Sequence, residues 1–153
     1  MAPLDAGGTT LPKLPCLCGS LRRATRALTQ RYEKELAPVG LSAAQMTILQ
    51  VLLRAGEVTQ GRLGKMLAMD STSLTRTLAI MRREGWIAEQ KGKDRRERWL
   101  RLSVAGAEKL QQAEPVWNKA QSQVRAELGD QAWEQLMGLA YRLSGLARKG
   151  EEQ

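Results

Sequence analysis

The side chains best suited to chemistry in this sequence are hydroxyl and guanidinium groups on one predicted helix, residues 71–84. Leu74, Leu78 and Met81 recur at i, i+4 and i+7, which predicts one apolar face turned towards a core. The remaining surface of this helix is polar and carries Ser71, Thr72, Ser73, Thr75, Arg76, Thr77 and Arg83. Short hydroxyl side chains beside arginine on a short exposed helix suit hydrogen bonding to base edges in a DNA major groove.

A shorter helix is predicted just before it, over residues 60–67, and a three-residue turn at 68–70 joins the two. The apolar positions of this first helix are Leu63, Met66 and Leu67. Thr59 and Asp70 are the expected N-caps of the two helices, because an oxygen at that position accepts an otherwise unpaired backbone N–H. The pattern predicts a helix-turn-helix.

A basic hairpin is predicted to follow, with strands at 86–92 and 96–102 and the turn residues Gly92 and Asp94 at its tip. The chain has a net charge of +8, and residues 54–101 contain twelve basic and six acidic side chains. Most of the excess therefore coincides with the helix-turn-helix and the hairpin. A localised basic excess favours a polyanionic partner, the alternative being a generally basic, solvated surface.

Amphipathic helices are predicted on both sides of this middle segment, over residues 16–37, 104–128 and 131–148. Another helix at 43–54, capped by Ser42, is apolar nearly all round and is expected to be central and buried. Pro115 is expected to kink the helix at 104–128. The flanking apolar stripes either form a bundle within one chain or pack against a second copy. A protein that binds two DNA half-sites needs two copies of its recognition helix, which favours packing against a second copy.

The expected fold is mainly α-helical with a small β-hairpin. A winged helix-turn-helix core at about 42–103 is flanked by dimerisation helices at about 16–37 and 104–148. Residues 1–14 are rich in Gly, Pro and Thr and are expected to be a mobile tail, with a single domain over 15–153.

Composition argues against several other classes of protein. The chain contains no histidine, which excludes imidazole-based catalysis and imidazole metal ligands. We therefore expect no enzyme activity, cofactor or metal. No stretch is long and apolar enough for a membrane span and no secretory signal is apparent, so a cytoplasmic protein is expected. A non-specific, architectural nucleic-acid-binding protein would share the charge pattern and stays an alternative.

Three segments carry a resemblance to a known family: 41-LSAAQMTIL-49, 63-LGKMLAMDSTSLTRTLAIMRREGWI-87 and 94-DRRERWLRLSVAG-106. Over roughly Cys16–Arg148 the chain resembles the MarR family of transcriptional regulators. The last segment, with its Asp-x-Arg start and a Gly three residues after Leu-Ser, is the most specific. The resemblance implies a homodimeric regulator, expected to be a repressor, that binds a palindromic operator in double-stranded DNA.

The resemblance also implies roles for individual residues. Ser71, Thr72, Thr75 and Arg76 correspond to base or phosphate contacts. Arg96 corresponds to the wing arginine of the minor groove, where a narrow groove focuses negative potential, and Asp94 to the carboxylate that orients it. The alternative for this pair is a hairpin-stabilising surface ion pair. The expected phosphate contacts of the hairpin are Lys91, Lys93, Arg95 and Arg98.

Many members of the family respond to small lipophilic or phenolic anions. The resemblance implies a pocket between the dimerisation helices and the winged domain, with Arg22 as a possible carboxylate partner. Its candidate lining is Leu21, Arg22, Thr25, Met46, Leu49 and Trp117. The alternative is that these residues are ordinary core and surface.

One branch of the family senses organic peroxides through a cysteine on the first helix that meets tyrosines of the partner subunit. Cys18 and Tyr32 match the spacing of that cysteine and the first tyrosine, whereas Ala43 stands at the second tyrosine position. A free cysteine on an apolar helix face is otherwise a small core residue. Cys16 and Cys18 are not expected to form a disulfide or a metal clamp, because residues i and i+2 of a helix point to different sides.

Overall fold

The computed structural model describes residues 12–13, 15–94 and 97–146. In these residues the elements are α1 (Leu17–Leu36), a one-turn 3₁₀ helix (Ala37–Val39), α2 (Ala43–Ala55), β1 (Glu57–Thr59), α3 (Gln60–Leu67), α4 (Ser71–Arg83), β2 (Ile87–Lys91), β3 (Arg98–Leu102), α5 (Val104–Leu128) and α6 (Asp130–Ser144). The predicted mainly α-helical fold with a winged helix-turn-helix in its middle is confirmed.

Side-chain caps begin four of these helices, as the sequence predicts. Ser42 and Gln45 form a reciprocal capping box at the start of α2. Thr59 accepts the Arg62 N–H at 3.2 Å before α3, and Asp70 accepts the Ser73 N–H at 2.9 Å before α4. Ser103 likewise accepts the Gly106 N–H at 2.9 Å and begins α5. Each cap satisfies a backbone donor that the helix itself leaves unpaired.

The sheet has three antiparallel strands in the order β1-β3-β2, so the expectation of two strands was incomplete. Val58 is the centre of β1 and pairs with Leu100, and both side chains are buried. β3 begins at Arg98, two residues later than predicted. The chain is still turning at Glu97, whose N–H donates to the Asp94 carbonyl at 3.0 Å.

One hydrophobic core joins α2, α3, α4 and the sheet. Its fully buried side chains include Met46, Ile48, Leu49, Leu52, Leu63, Leu78, Met81 and Leu100. Two expectations of burial were wrong: Leu53 is 56% exposed and Met66 is 43% exposed. Leu53 therefore lies on a solvent-facing side of α2, which is not buried all round.

The first helix packs along α5. The rings of Tyr32 and Trp117 lie 4.6 Å apart at 30°, and the Tyr32 hydroxyl donates to Gln121 Oε1 at 2.5 Å. Partial burial raises the pKa of Tyr32. Arg31 donates two hydrogen bonds of 2.7 Å to Glu127, and they lower the pKa of that carboxyl. α5 runs continuously through Pro115, and the predicted kink there stays a prediction.

The last helix lies almost entirely on the surface. Its N-cap is Gly129, and the carboxylate of the following Asp130 accepts a 2.6 Å hydrogen bond from Arg125. None of the residues of α6 is buried, and its exposed apolar side chains include Leu136, Met137, Leu139 and Tyr141. The predicted residues 147 and 148 of this helix lie outside the described residues.

In the described part of the chain, no helix on its own combines the length and the apolar character that a membrane span requires. Leu17–Val39 and Ala43–Ala55 satisfy them only when taken together, and the chain bends by 78° between the two.

Candidate nucleic-acid interface

The turn between α3 and α4 is tight because its backbone adopts a left-handed conformation at Ala68, where φ is 50°. The Met69 N–H then donates to the Gly64 carbonyl at 3.0 Å. A Cβ on Gly64 would lie 3.3 Å from a Leu74 methyl group and 3.4 Å from the Met69 carbonyl oxygen. The absence of a side chain at Gly64 therefore allows α3 to cross close to α4.

The exposed surface of α4 lies where the sequence places it. Leu74, Leu78 and Met81 are buried, and Thr72, Arg76 and Arg83 lie on the opposite side of the helix at i, i+4 and i+11. Ser71, Ser73 and Thr75 are exposed on the flanks of this surface. The polar side chains are therefore held on a helix whose other face is anchored in the core.

Asp70 caps the N-terminus of α4. Hydrogen bonds from the Ser73 backbone and side chain lower the pKa of the Asp70 carboxyl, which favours its charged form. The Thr77 hydroxyl donates to the Ser73 carbonyl at 3.0 Å, so its proton is used within the helix. Thr77 is also half-buried, whereas the other Ser and Thr residues of α4 are exposed. Its hydroxyl is therefore the one least available to a bound molecule.

Sequence reasoning missed a set of polar contacts that ties α4 to α3 and to the sheet. The Arg82 Nε donates to Glu89 Oε2 at 2.6 Å, and Arg98 Nε lies 3.2 Å from Glu89 Oε1. Arg82 also donates to Gln60 Oε1 at 3.2 Å, and Gln60 Nε2 donates to Thr75 Oγ1 at 3.2 Å. No local spacing signals this set, because its members come from four elements.

The hairpin keeps part of its predicted basic surface exposed. Lys91 ends β2, and Lys93 follows in the turn, both exposed. Asp94 is exposed beside them, whereas Arg95 and Arg96 lie outside the described residues, and so does the predicted Asp94–Arg96 pair. Arg98 is 37% exposed and its charge is partly offset by Glu89, so its role as a phosphate contact stays a prediction.

The base of the hairpin is fastened to α5. The Ser103 hydroxyl donates to the Gly85 carbonyl at 2.6 Å, and the Ser103 N–H donates to the Trp86 carbonyl at 3.1 Å. The Lys109 ammonium lies 5.3 Å from the centre of the Trp86 ring, within reach of a cation–π interaction. These contacts fix where the hairpin leaves the core.

The six predicted ligand residues lie partly in the core and partly on the surface of this single chain, and their role in binding a ligand stays a prediction. Met46 and Leu49 are fully buried in the core, and Trp117 packs on Tyr32. Leu21, Arg22 and Thr25 lie exposed on α1. A cleft of 1420 Å³ lies elsewhere, between α3, the start of α4 and the end of α6, and contains none of the six.

The two cysteines are free and exposed. Cys16 is the N-cap of α1 in an extended conformation and Cys18 is in the first turn, so the helical geometry assumed for the pair does not apply to Cys16. Tyr32 lies fourteen residues beyond Cys18 on the same helix, about 21 Å along its axis. A Cys18–Tyr32 contact therefore needs a second chain. Among the described residues, no three His, Cys, Asp or Glu side chains are grouped to hold a metal ion.

A helix-turn-helix backed by a three-stranded wing and flanked by long helices defines the winged helix class of transcriptional regulators. Residues 39–97 match the model of the MarR family. The chain is 34% identical to the M. tuberculosis transcriptional regulator MosR, solved in complex with DNA, with a TM-score of 0.77, covering 88% of this chain and 97% of that one. It belongs to the MarR family and is a transcriptional regulator of that type.

Two further proteins are similar to this chain. The chain is 24% identical over 115 residues to YwoH of Bacillus subtilis, an uncharacterised HTH-type transcriptional regulator, with 75% of this chain and 84% of that one covered. A mutant E. coli MarR complexed with operator DNA is 22% identical with a TM-score of 0.73, covering 83% of this chain and 92% of that one. The latter likeness supports the fold alone.

Proposed function

We propose that this protein is a homodimeric, sequence-specific repressor that binds a palindromic operator in double-stranded DNA. The exposed polar surface of α4, held on a helix anchored in the core, is the observation that carries the proposal. Its hydroxyl and guanidinium groups match the donors and acceptors of base edges, and α4 is the second helix of the helix-turn-helix, which enters the major groove in such domains. MosR, the 34% identical relative crystallised with DNA, supports the same assignment.

The residue roles are proposed from this placement for α4 and from the family resemblance for the hairpin. Ser71, Thr72, Ser73, Thr75, Arg76 and Arg83 are proposed contacts of α4 with bases and nearby phosphates. The hairpin enters the adjacent minor groove through Arg96, oriented by Asp94, and Lys91, Lys93, Arg95 and Arg98 neutralise phosphates. Phosphate contacts position the protein, while base contacts specify the sequence.

A mobility-shift titration tests the role of α4. Arg76→Ala is expected to weaken operator binding by about 5- to 150-fold, the range of a lost base contact. Arg26→Ala removes the same charge from an exposed site on α1, which packs on α5, and serves as the control. Equal losses in the two variants would show that only net charge matters.

A second titration tests the hairpin. Arg96→Ala is expected to weaken operator binding without changing the melting temperature, because the proposed role of this wing arginine is to contact DNA rather than the core. Operator affinity equal to that of the parent would refute the wing assignment. Competition with unrelated duplex separates this function from non-specific, architectural binding, which predicts no preference between the two DNAs.

The proposed dimer is supported by the exposed apolar side chains of α6. A 15-residue helix with none of its residues buried gains little stability from its own chain, since most helical stability comes from packing. Two more apolar side chains are exposed on the flanking helices. Leu17, at the start of α1, is 65% exposed, and Leu146, just after α6, is 63% exposed. Apolar surfaces of this kind mark interaction sites.

Sedimentation measures the dimer directly. Leu136→Glu is expected to weaken self-association by at least about 10-fold, because a buried carboxylate loses its hydration. Leu53→Glu introduces the same charge at an exposed apolar position of α2 and is the control. A parent protein that sediments as a monomer at micromolar concentration would refute the dimer.

We also propose that a small lipophilic or phenolic anion releases the protein from its operator. The 1420 Å³ cleft between the winged domain and α6 supports this, because Tyr141 and Arg142 line it together with Lys65 and Arg98. A tyrosine ring beside basic groups suits an aromatic carboxylate. The test is a mobility shift on the DNA upstream of the protein's own reading frame, with and without a panel of phenolic acids. A shift that no compound changes would refute this part of the proposal.

Cysteine-based peroxide sensing is the alternative mode of release, favoured by the exposure of Cys18 in the first turn of α1. It requires that peroxide dissociate the parent from its operator and leave Cys18→Ser bound. Equal release of both proteins would exclude it. With DNA as its partner and free cysteines, the protein is proposed to act in the cytoplasm.

A further inference from the structure

A series of polar contacts runs from the sheet to the exposed flank of α4. Glu89 on β2 binds Arg82, with 2.6 Å between Oε2 and Nε. Arg82 reaches Gln60 on α3, with 3.2 Å between the guanidinium Nη2 and Oε1. Gln60 Nε2 in turn lies 3.2 Å from Thr75 Oγ1. We name Glu89, Arg82 and Gln60 the relay, and Thr75 is its last contact.

The chemistry of Arg82 fixes the direction of each hydrogen bond. A guanidinium has donors and no acceptor, so Gln60 must turn its carbonyl oxygen towards Arg82. The amide group of Gln60 then faces Thr75 with hydrogens only. Thr75 Oγ1 is therefore the acceptor in that bond, and the reverse amide orientation would oppose two donors.

The hydroxyl proton of Thr75 has a different situation from that of Thr77. The Thr77 hydroxyl donates to the Ser73 carbonyl at 3.0 Å. Within residues 15–94 and 97–146, no hydrogen bond takes the Thr75 proton in this way, and Thr75 is exposed. The proton is therefore available to whatever lies against this flank of α4.

We propose that the relay sets Thr75 as a hydrogen-bond donor to DNA, so that the protein selects an acceptor at that position. This rests on the proposed function of α4. A lone threonine hydroxyl either donates or accepts, and it discriminates poorly between bases. Because its oxygen already accepts from Gln60, Thr75 keeps its proton and one lone pair, and polarisation of the hydroxyl by Gln60 makes it the better donor. It therefore favours purine N7, guanine O6, thymine O4 or a phosphate oxygen over the amino groups of cytosine and adenine. Glu89, Arg82 and Gln60 are then positioning residues.

Two substitutions test the direction of the hydrogen bonds. Thr75→Val removes the hydroxyl and keeps the β-branched shape. Gln60→Glu keeps an acceptor for Arg82 but offers only acceptors to Thr75, which draws its proton inward. Gln90→Glu adds the same charge at an exposed site of β2 outside the relay and is the matched control.

The assay is selection of binding sites from randomised duplexes, followed by titration of the selected site. Thr75→Val and Gln60→Glu are each expected to lose about 10-fold of affinity for the selected site, the size of one hydrogen bond. The double variant is expected to lose no more than either single variant, while Gln90→Glu keeps the preference of the parent. Equal melting temperatures show that each variant is folded.

The pattern of the loss identifies the acceptor. The affinity loss can be confined to one base pair, and an acceptor-deleted base such as a 7-deazapurine can reproduce it in the parent. In that case the acceptor of the Thr75 hydrogen bond lies on a base edge. An equal loss on every sequence, reproduced by a methylphosphonate linkage, assigns it to a phosphate. Both outcomes support Thr75 as a donor.

Other outcomes overturn the inference. Parent-like affinity and preference for Thr75→Val, or a Gln60→Glu variant that behaves like Gln90→Glu, would refute the relay while leaving the proposed function intact. Dependence of the Thr75 contact on a base amino group would refute the assigned direction. A parent protein that selects no sequence at all would refute the proposed function and the relay together.

Discussion

Replacement of Gly106 by alanine is expected to disturb the junction between the hairpin and α5. Gly106 is in the first turn of α5, directly against the chain at Trp86. A Cβ at this position would lie 2.0 Å from the Trp86 carbonyl oxygen and 2.9 Å from its carbonyl carbon. The Leu102 methyl group, also 2.9 Å away, can rotate aside, but the Trp86 carbonyl is held by the Ser103 N–H at 3.1 Å.

The size of the effect follows from these distances. The Cβ and the carbonyl oxygen must separate by about 1 Å before they reach the shortest contact that real Cβ atoms show. Overpacking of this kind costs about 1–3 kcal/mol, and loss of the Ser103–Trp86 hydrogen bond adds about 0.5–1.5 kcal/mol. The expected loss in the free energy of unfolding is about 2–4 kcal/mol, which lowers the melting temperature of a chain of this size by about 5–15 °C.

Equilibrium unfolding in urea, followed by circular dichroism at fixed protein concentration, measures this loss. Gly61→Ala is the control, because a Cβ on Gly61 in α3 meets nothing within 4 Å. It is expected to stabilise the protein by up to about 1 kcal/mol through helix propensity. A Gly106→Ala variant within about 0.5 kcal/mol of the parent, the ordinary range of surface substitutions, would refute the reasoning.

Three further predictions concern the caps and the core. Ser103→Ala removes both the α5 cap and the bond to the Gly85 carbonyl, and is expected to cost about 1–2 kcal/mol in thermal unfolding, with Ser103→Thr closer to the parent. Folding lowers the pKa of Asp70 from its unfolded value of 3.8, so the charged carboxylate stabilises the folded protein above that pH. This stabilisation is lost as the pH falls through the pKa of the folded state. Asp70→Asn keeps a cap but does not titrate, so melting temperature against pH should fall less steeply below about pH 4 than in the parent; parallel curves would contradict this. Leu78→Ala, at a fully buried position of α4, is expected to cost about 2–5 kcal/mol, whereas Ile80→Ala, at a site 40% exposed on the same helix, should cost clearly less by the same urea assay.

Much of the middle of the molecule was predictable because its signals are local. Helical spacing of Leu74, Leu78 and Met81 set the orientation of α4, and Asp70 set its start within one residue. The same local rules placed Thr59 before α3 and Ser103 before α5. Caps and apolar periodicity involve residues three or four positions apart, so the chain itself carries the information.

Errors arose where contacts join distant segments. Val58 became a strand because Leu100, more than forty residues away, provides its pairing partner. Met66 is at helical spacing from a core residue and is nevertheless 43% exposed. The spacing of apolar residues does not specify which of them contact a neighbouring element.

The sequence by itself determined the helix-turn-helix, its polar exposed surface and the basic hairpin that follows, since each rests on residue types at short spacing. Only the tertiary structure decided how these parts are connected. It placed Glu89, Arg82 and Gln60 in contact from three separate elements, and it brought Trp86 against Gly106. Such contacts depend on how packed elements cross in space, and short-range spacing in the sequence does not encode them.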